Sequence, residues 1–347
     1  MGPIASTVDR RQLAPAGGLR NPAQASAVPV RPTAAAASLA SSRFARGVAQ
    51  LQGRIQADRQ LQQVPDANGL KLRPGMESVF LPQKTPTDKG TVVMFHGYTA
   101  GPWQYTEMAQ RFYQAGYNVY IPRLPGHGME TADGTPTGAE IPKSYQGQQY
   151  DTFVDQAFAD ASALGGPVCA VGLSGGADLA LDMASRHPQV KSVAAMSPYL
   201  GGNGPEGWIF DIMPVLNKLT FGLAGRILDL IPEGKNIRVP GDPTPHTEGS
   251  LGQALAMLEV GRKLTKIPCP VQYLSTPGDT LSGSTHIAPL IQNSGGLARD
   301  GWFTFSSKLH VPHAMLSPEE DKVPGAAQRV SDIVFSFINA SKLTDAK

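Results

Sequence analysis

The stretch Pro167-Val168-Cys169-Ala170-Val171-Gly172-Leu173-Ser174-Gly175-Gly176-Ala177 decides how the rest of the chain is read. Its first half is a short, continuous apolar run, the pattern of a strand covered on both faces. Its second half, Gly172 to Gly176, has the form G-x-S-x-G, and residues 177–186 continue with helical patterning. A five-residue pattern matches easily by chance, so the strand–turn–helix setting is what gives it meaning. A serine on so tight a turn leaves no room for a Cβ two residues to either side, which accounts for both glycines. The turn lifts the serine hydroxyl above the carboxyl end of the sheet, beside the positive N-terminus of the next helix. The bland alternative is a glycine-rich strand-to-helix turn with no chemistry.

Outward from this point, strands and helices alternate. Apolar runs predict strands at Glu77–Leu81, Gly90–Phe95, Tyr117–Pro122, Val190–Met196, Cys269–Ser275 and Gly301–Ser306. Amphipathic spacing predicts helices at Trp103–Ala115, Tyr145–Leu164, Ala177–Arg186 and Gln328–Ala340. The fold class this implies is α/β, a doubly wound and mainly parallel sheet with helices on both faces. Residues 199–267 break the rhythm as a long, apolar, Gly/Pro-punctuated insertion.

A serine hydroxyl is a weak nucleophile. It needs a base, and the base needs an orienting acid. Around a serine on such a turn the acid and then the base follow in chain order. Asp279 lies in Thr276-Pro277-Gly278-Asp279, directly after the strand ending at Ser275, and is the candidate acid. An aspartate there could equally form only an Asx turn. Asp242 and Asp300 are weaker rivals, since neither directly follows an apolar strand. Two histidines follow the strand 301–306. His310 is close enough to the strand end to do no more than cap it. His313 lies deeper in the loop, before the helix-start signal Ser317-Pro318-Glu319-Glu320, and is the candidate base. Acyl transfer also builds an oxyanion that needs two fixed donors. The N–H groups of Gly175 and of Tyr98, in the loop His96-Gly97-Tyr98-Thr99-Ala100-Gly101, are the candidates. His96 reads as a structural histidine.

The segments HGYTAGPWQY (96–105), RLPGHG (123–128), GLSGG (172–176), PGD (277–279) and HVPHAML (310–316) together resemble the α/β-hydrolase superfamily. Within it they look like the monoacylglycerol lipase and carboxylesterase group. The resemblance covers about residues 76–340. It implies a Ser174–Asp279–His313 esterase or lipase acting through an acyl-serine. It also implies a cap between the sixth and seventh strands, where 199–267 would fall. The chain departs from the group's pattern in two places. The residue after the serine is usually Met or Gln there but is Gly175 here, which would widen the pocket or soften the turn. The PGHG turn usually follows an aspartate, whereas here Leu124 follows Arg123. His127 in that turn reads as structural. A serine nucleophile speaks against a dehalogenase or epoxide hydrolase. The apolar run of the cap, from Trp208, Ile209, Phe210, Ile212 and Met213 through Val215, Leu216, Leu219, Phe221 and Leu223, reads either as a lid holding an acyl or aromatic group or as the cap's own packing.

Composition narrows the alternatives. The chain has 347 residues and a net charge of +2, with 17% charged residues. That balance is not the basic excess of a nucleic-acid binder, and no apolar run reaches membrane-spanning length. Two cysteines, Cys169 and Cys269, cannot build a disulfide framework and read as small core residues. No metal cluster or cofactor fingerprint is present, so the expected cofactor is none and the expected partner is a small ester with an apolar acyl or aromatic part. The charge is uneven: residues 1–75 hold ten basic and three acidic side chains. This Ala/Pro/Arg-rich head reads as a leader, disordered over about 1–40, with a weak amphipathic helix at 39–61. A chain starting near Asn68 is then expected to fold and work. A soluble, cytoplasmic protein is expected, with export or organelle targeting through 1–60 as the alternative and a loose myristoylation pattern at Gly2 as a weaker one. Three functions remain open: ester hydrolysis, acyl transfer or thioester cleavage on the same groups, and a non-catalytic binder that keeps the fold.

Overall fold

The computed structural model describes residues 34–341, apart from 99, 202–206, 232–236, 239–244, 247–248, 278, 280–281, 283, 297–299 and 317–322. Seven strands form the main sheet: β1 (Val79–Leu81), β2 (Thr91–Phe95), β3 (Asn118–Ile121), β4 (Val168–Leu173), β5 (Val190–Met196), β6 (Val271–Ser275) and β7 (Gly301–Thr304). Their spatial order is β7-β6-β5-β4-β2-β3-β1, and only the edge strand β1 is antiparallel to its neighbour. β2 and β4 sit at the centre and are buried along their whole length. That is why they read as continuous apolar runs rather than alternating ones.

Helices cover both faces. On one side α3 (Gln148–Ala163) and α4 (Gly175–Arg186) pack on the sheet in one apolar cluster. On the other, α2 (Thr106–Gln114) and α8 (Ala326–Ala340) belong to a second cluster with Val92, Met94 and Ile121. Cys169 and Cys269 are both buried and unbonded to each other, and β5 separates their strands. No helix among the described residues is long and apolar enough to cross a membrane.

The insertion at 199–267 separates the fifth and sixth strands of this sheet. It contains α5 (Gly207–Leu219), α6 (Leu223–Leu228), a short antiparallel ribbon pairing Ile237–Arg238 with Pro245–His246, and α7 (Leu251–Arg262). A capping box starts α7: Gln253 N–H donates to Ser250 Oγ at 3.2 Å, and Ser250 N–H donates to Gln253 Oε1 at 2.8 Å. Asn217 ties the three helices together, its side chain donating to Glu259 at 2.9 Å and accepting from Gly225 N–H at 2.8 Å. The side chains of Trp208, Ile209 and Phe210 fall outside the described residues. Most of the rest of the apolar run is turned outward: Ile212, Val215, Leu216, Leu219, Phe221 and Leu223 are exposed, Phe221 fully, and Met213 is half-buried.

The head also differs from its sequence reading. A helix, α1, runs Ala34–Gln63, longer than the 39–61 expected, and it docks on the body. Phe44 and Leu51 enter the main apolar cluster with Val48 packed beside them. Arg54 Nε lies 2.5 Å from Asp160 on α3. A Cβ on Gly47 would stand 2.9 Å from the Ala163 backbone, so glycine lets the two helices touch. The buried stripe recurs every three to four residues but alternates apolar groups with ion pairs, which is why its hydrophobic signal is faint. Residues 1–33, the myristoylation pattern included, lie outside the described residues, while Lys71–Leu72 at the other end of the head pair with Met129–Glu130.

Candidate active site

The Ser174 turn has the strained geometry its glycines imply. Ser174 sits at φ 54° and ψ −126° between β4 and α4. A Cβ on Gly172 would come within 2.1 Å of the Gly176 carbonyl oxygen, and one on Gly176 within 2.1 Å of the Phe95 oxygen. Neither position tolerates another residue without moving the turn. The backbone is held from both sides: Ser174 N–H donates to Met196 O at 2.9 Å, and Ala177 N–H donates to Ser174 O at 2.8 Å.

Asp279 and His313 arrive from the loops after β6 and β7. The structure brings them together with Ser174. His313 Nε2 lies 2.8 Å from Ser174 Oγ, and its Nδ1 lies 2.7 Å from Asp279 Oδ2. With Nδ1–H donating to the carboxylate, Nε2 is free to accept the serine proton. The Asp279 side chain is 1% exposed and that of His313 26%. The acid is thus sheltered while the base keeps an open side. Ser282 N–H donates to Asp279 Oδ1 at 3.2 Å, occupying the other carboxylate oxygen. Thr276 Oγ1 donates to Val311 O at 2.7 Å and so clamps the acid loop to the base loop. His310 stands apart, exposed, at φ 45°, closing the short turn Ser307–Leu309. Asp300 is spent on Val271 N–H at 3.1 Å, and Asp242 lies outside the described residues.

The loop carrying Tyr98 is pinned by its neighbours. Gly97 N–H donates to Gln104 Oε1 at 2.9 Å. His96 is buried, accepts Leu124 N–H on Nε2 at 3.0 Å and donates from Nδ1 to Gly97 O at 2.9 Å. Burial, then the neighbouring His127, holds its pKa well below the ordinary value. His127 faces Pro125 O and Tyr98 O with its two ring nitrogens. Burial lowers its pKa to about 4, so the ring is neutral near pH 7 and its single N–H serves one of the two carbonyls. Both histidines therefore stitch the loop and are not placed to move protons at Ser174.

Gly175 does not open the site as the sequence suggested. Met257 of α7 lies against it, in the direction a side chain at 175 would take. Nothing in the local sequence of either residue announces this contact, because it joins the insertion to the serine turn across the fold. Among the described residues no group of three or more His, Cys, Asp or Glu is arranged to hold a metal ion.

Comparison with known proteins places this geometry. Residues 92–322 match the model of the alpha/beta hydrolase family. A thermostable monoacylglycerol lipase from Bacillus sp. (strain H-257) is 26% identical over 211 residues, covering 57% of this chain and 71% of that protein. A soluble variant of monoglyceride lipase from Saccharomyces cerevisiae, solved with a substrate analog, superposes with a TM-score of 0.55 at 16% identity, covering 81% of this chain and 97% of the other. A metagenome-derived lipolytic enzyme gives 0.54 at 17% identity, covering 78% of this chain and 100% of that one. With a mainly parallel sheet, a strained serine turn after its central strand and a family match over most of its length, this chain belongs to the alpha/beta hydrolase family.

Proposed function

We propose that the chain is a serine-dependent hydrolase of carboxylic esters with an apolar acyl part. The observation that carries this is the continuous contact from Ser174 through His313 to Asp279, at 2.8 and 2.7 Å. In this reading His313 Nε2 takes the Ser174 proton as Oγ attacks the ester carbonyl, and Asp279 stabilises the imidazolium that forms. The oxyanion is received by the N–H groups of Tyr98 and Gly175. His313 then returns the proton to the leaving alcohol. Water, deprotonated by the same histidine, cleaves the acyl-serine to the free acid and restores Ser174.

Two further observations support the ester reading. The lipases and the lipolytic enzyme above share the fold, and one shares sequence over most of its length. The cap also turns an apolar face outward: every exposed residue between 211 and 231 is a large apolar side chain or a cation, with Leu219, Leu230 and Phe221 at 71%, 83% and 99% exposure. Such a face suits a substrate that gathers at an interface. The test is hydrolysis of p-nitrophenyl esters of graded chain length by the wild type and Ser174→Ala. Turnover that depends on Ser174 supports the reading, and turnover independent of it refutes it. Adding an alcohol acceptor to the same assay separates hydrolysis from acyl transfer.

A further inference from the structure

Tyr98 is held through both of its peptide groups. The N–H that receives the oxyanion in the proposed mechanism belongs to the Gly97–Tyr98 peptide. The carbonyl of that peptide, Gly97 O, accepts Ala100 N–H at 3.0 Å and His96 Nδ1–H at 2.9 Å. The next carbonyl, Tyr98 O, faces His127 Nε2. Both histidines are set by one turn, residues 123–128. Leu124 N–H donates to His96 Nε2 at 3.0 Å, which leaves the His96 proton on Nδ1, and His127 is itself part of the turn. The position of the turn therefore sets the direction of the Tyr98 N–H.

The turn is anchored by residues that precede the family match, which begins at residue 92. Asp58 of α1 is 9% exposed and accepts four hydrogen bonds. Its Oδ1 takes Arg123 Nη2 and Nε at 3.0 and 3.3 Å. Its Oδ2 takes Ser78 N–H at 2.8 Å and Ser78 Oγ–H at 2.7 Å. Ser78 Oγ in turn accepts Arg123 N–H at 3.0 Å, and Arg123 Nη1 crosses the turn to His127 O at 3.0 Å. Asp58 thus fixes Arg123 twice, through its guanidinium directly and through its backbone by way of Ser78. Bonds to a sheltered carboxylate are short and directional, so the anchor is stiff. We infer that Asp58 is a positioning residue for the oxyanion loop: it holds the 123–128 turn where His96 and His127 aim the Tyr98 N–H. This rests on the ester-hydrolase reading. The N-terminal helix then serves the reaction as well as the fold, because without it Ser174, His313 and Asp279 face a misaimed oxyanion donor.

The experiment measures kcat and KM for p-nitrophenyl butyrate. It also measures Ki for a trifluoromethyl ketone, which adds Ser174 Oγ and leaves its oxyanion in the hole. It uses the full-length chain as wild type, Asp58→Asn, Arg123→Lys and Phe44→Ala, well below the melting point of each. Losing an oxyanion donor outright costs about 10²–10³ in kcat, so loosening its support should cost about tenfold. Asp58→Asn should lower kcat by about that factor with KM within about twofold, and Ki should rise as kcat/KM falls. Arg123→Lys keeps the charge but cannot reach Asp58 and His127 O together, so it should act in the same way, and it decides alone if Asp58→Asn does not fold. Phe44→Ala removes a buried side chain fourteen residues earlier, about 21 Å along the helix. It should lower the melting point and leave kcat, KM and Ki at wild-type values. Wild-type kcat in Asp58→Asn and Arg123→Lys overturns the inference, and so does a loss of kcat in Phe44→Ala as large as theirs. A fluorophosphonate probe that still labels Ser174 then leaves the ester reading standing. If the wild type neither hydrolyses the ester nor takes the label at Ser174, the ester reading itself falls, and this inference falls with it.

Discussion

Arg123 of the PGHG segment is ion-paired with Asp58 of the N-terminal helix: its Nη2 and Nε lie 3.0 and 3.3 Å from Asp58 Oδ1. The other carboxylate oxygen accepts Ser78 N–H at 2.8 Å and Ser78 Oγ–H at 2.7 Å. Arg123 Nη1 also donates to His127 O at 3.0 Å, and the His127 ring reaches Tyr98 O. A residue of α1 thus stands a few contacts from the loop that would receive the oxyanion. Where the lipase group usually carries an aspartate near this turn, this chain has an arginine whose partner comes from its own head.

Removing the head should therefore cost stability. A chain starting at Asn68 loses buried Phe44 and Leu51, each worth about 1.5–3 kcal/mol, and leaves Arg123 and Asp160 without their α1 partners. At about 2–4 °C per kcal/mol for a domain of this size, a thermal melt should fall by about 10 °C or more. Asp58→Ala alone should destabilise by about 3 kcal/mol, since it strands a half-buried arginine. Equal melting points for full-length and truncated protein would show that α1 contributes nothing to the fold.

Loss of His313 should be nearly as damaging as loss of Ser174, several orders of magnitude in kcat, because members of such a relay act as a unit. His310→Ala should cost less than about tenfold, as the residue is exposed and closes a turn. Asp279→Asn should keep the fold yet cut kcat steeply, the amide favouring the unproductive tautomer of His313. Steady-state kinetics on the three variants checks this, and near-full activity in Asp279→Asn would assign the orienting role elsewhere.

The sheet and this constellation were legible because their signals are local. A strand, a glycine-flanked serine and a following helix occupy one short segment, and Asp279 and His313 each sit just past an apolar run. Loop register favours His313 over His310, and His313 is the one within hydrogen-bond reach of Ser174 and Asp279. The docking of α1 was not legible, because its buried stripe includes Arg54 and Asp58, whose partners Asp160 and Arg123 are distant in sequence. The outward turn of Leu219 and Phe221 was hidden for the opposite reason. Apolar residues in a run suggest burial, and only the packing shows which face is left to solvent.

Asp182 on α4 has a side chain only 8% exposed, with its nearest cation, Arg186 Nε, at 3.9 Å. Burial first, and then the charge of Asp151, push its carboxyl up to about 6. An unfolded aspartate titrates near about 3.9. Between about pH 4 and 6 the native state therefore binds more protons than the unfolded one, and stability falls as pH rises through that window. Asp182→Asn should remove the penalty, stabilising the protein by about 1–3 kcal/mol at neutral pH and by almost nothing near pH 4. Urea melts at the two pH values test this, and an equal effect at both would contradict it.

The outer face of the cap should bind an anionic lipid surface. Lys218 and Arg226 are exposed there, while the half-exposed Asp211 is paired with Arg262 at 3.2 Å, and the two cations favour negative headgroups. Flotation with phosphatidylglycerol vesicles should carry the wild type upward. Leu219→Ser/Phe221→Ser/Leu230→Ser should remain at the bottom with hydrolysis of a water-soluble ester unchanged. Equal flotation of both would exclude this face as the docking surface.

The most direct test of the serine mechanism is covalent. A fluorophosphonate that loses fluoride to an activated serine should add one phosphonyl group to the wild-type chain, on the peptide containing Ser174, and abolish ester turnover in proportion. Ser174→Ala should take no label and show no turnover, with an unchanged melt. Stoichiometric labelling at another residue, or ester turnover that survives in Ser174→Ala, would contradict the assignment of Ser174, His313 and Asp279 as the reacting machinery.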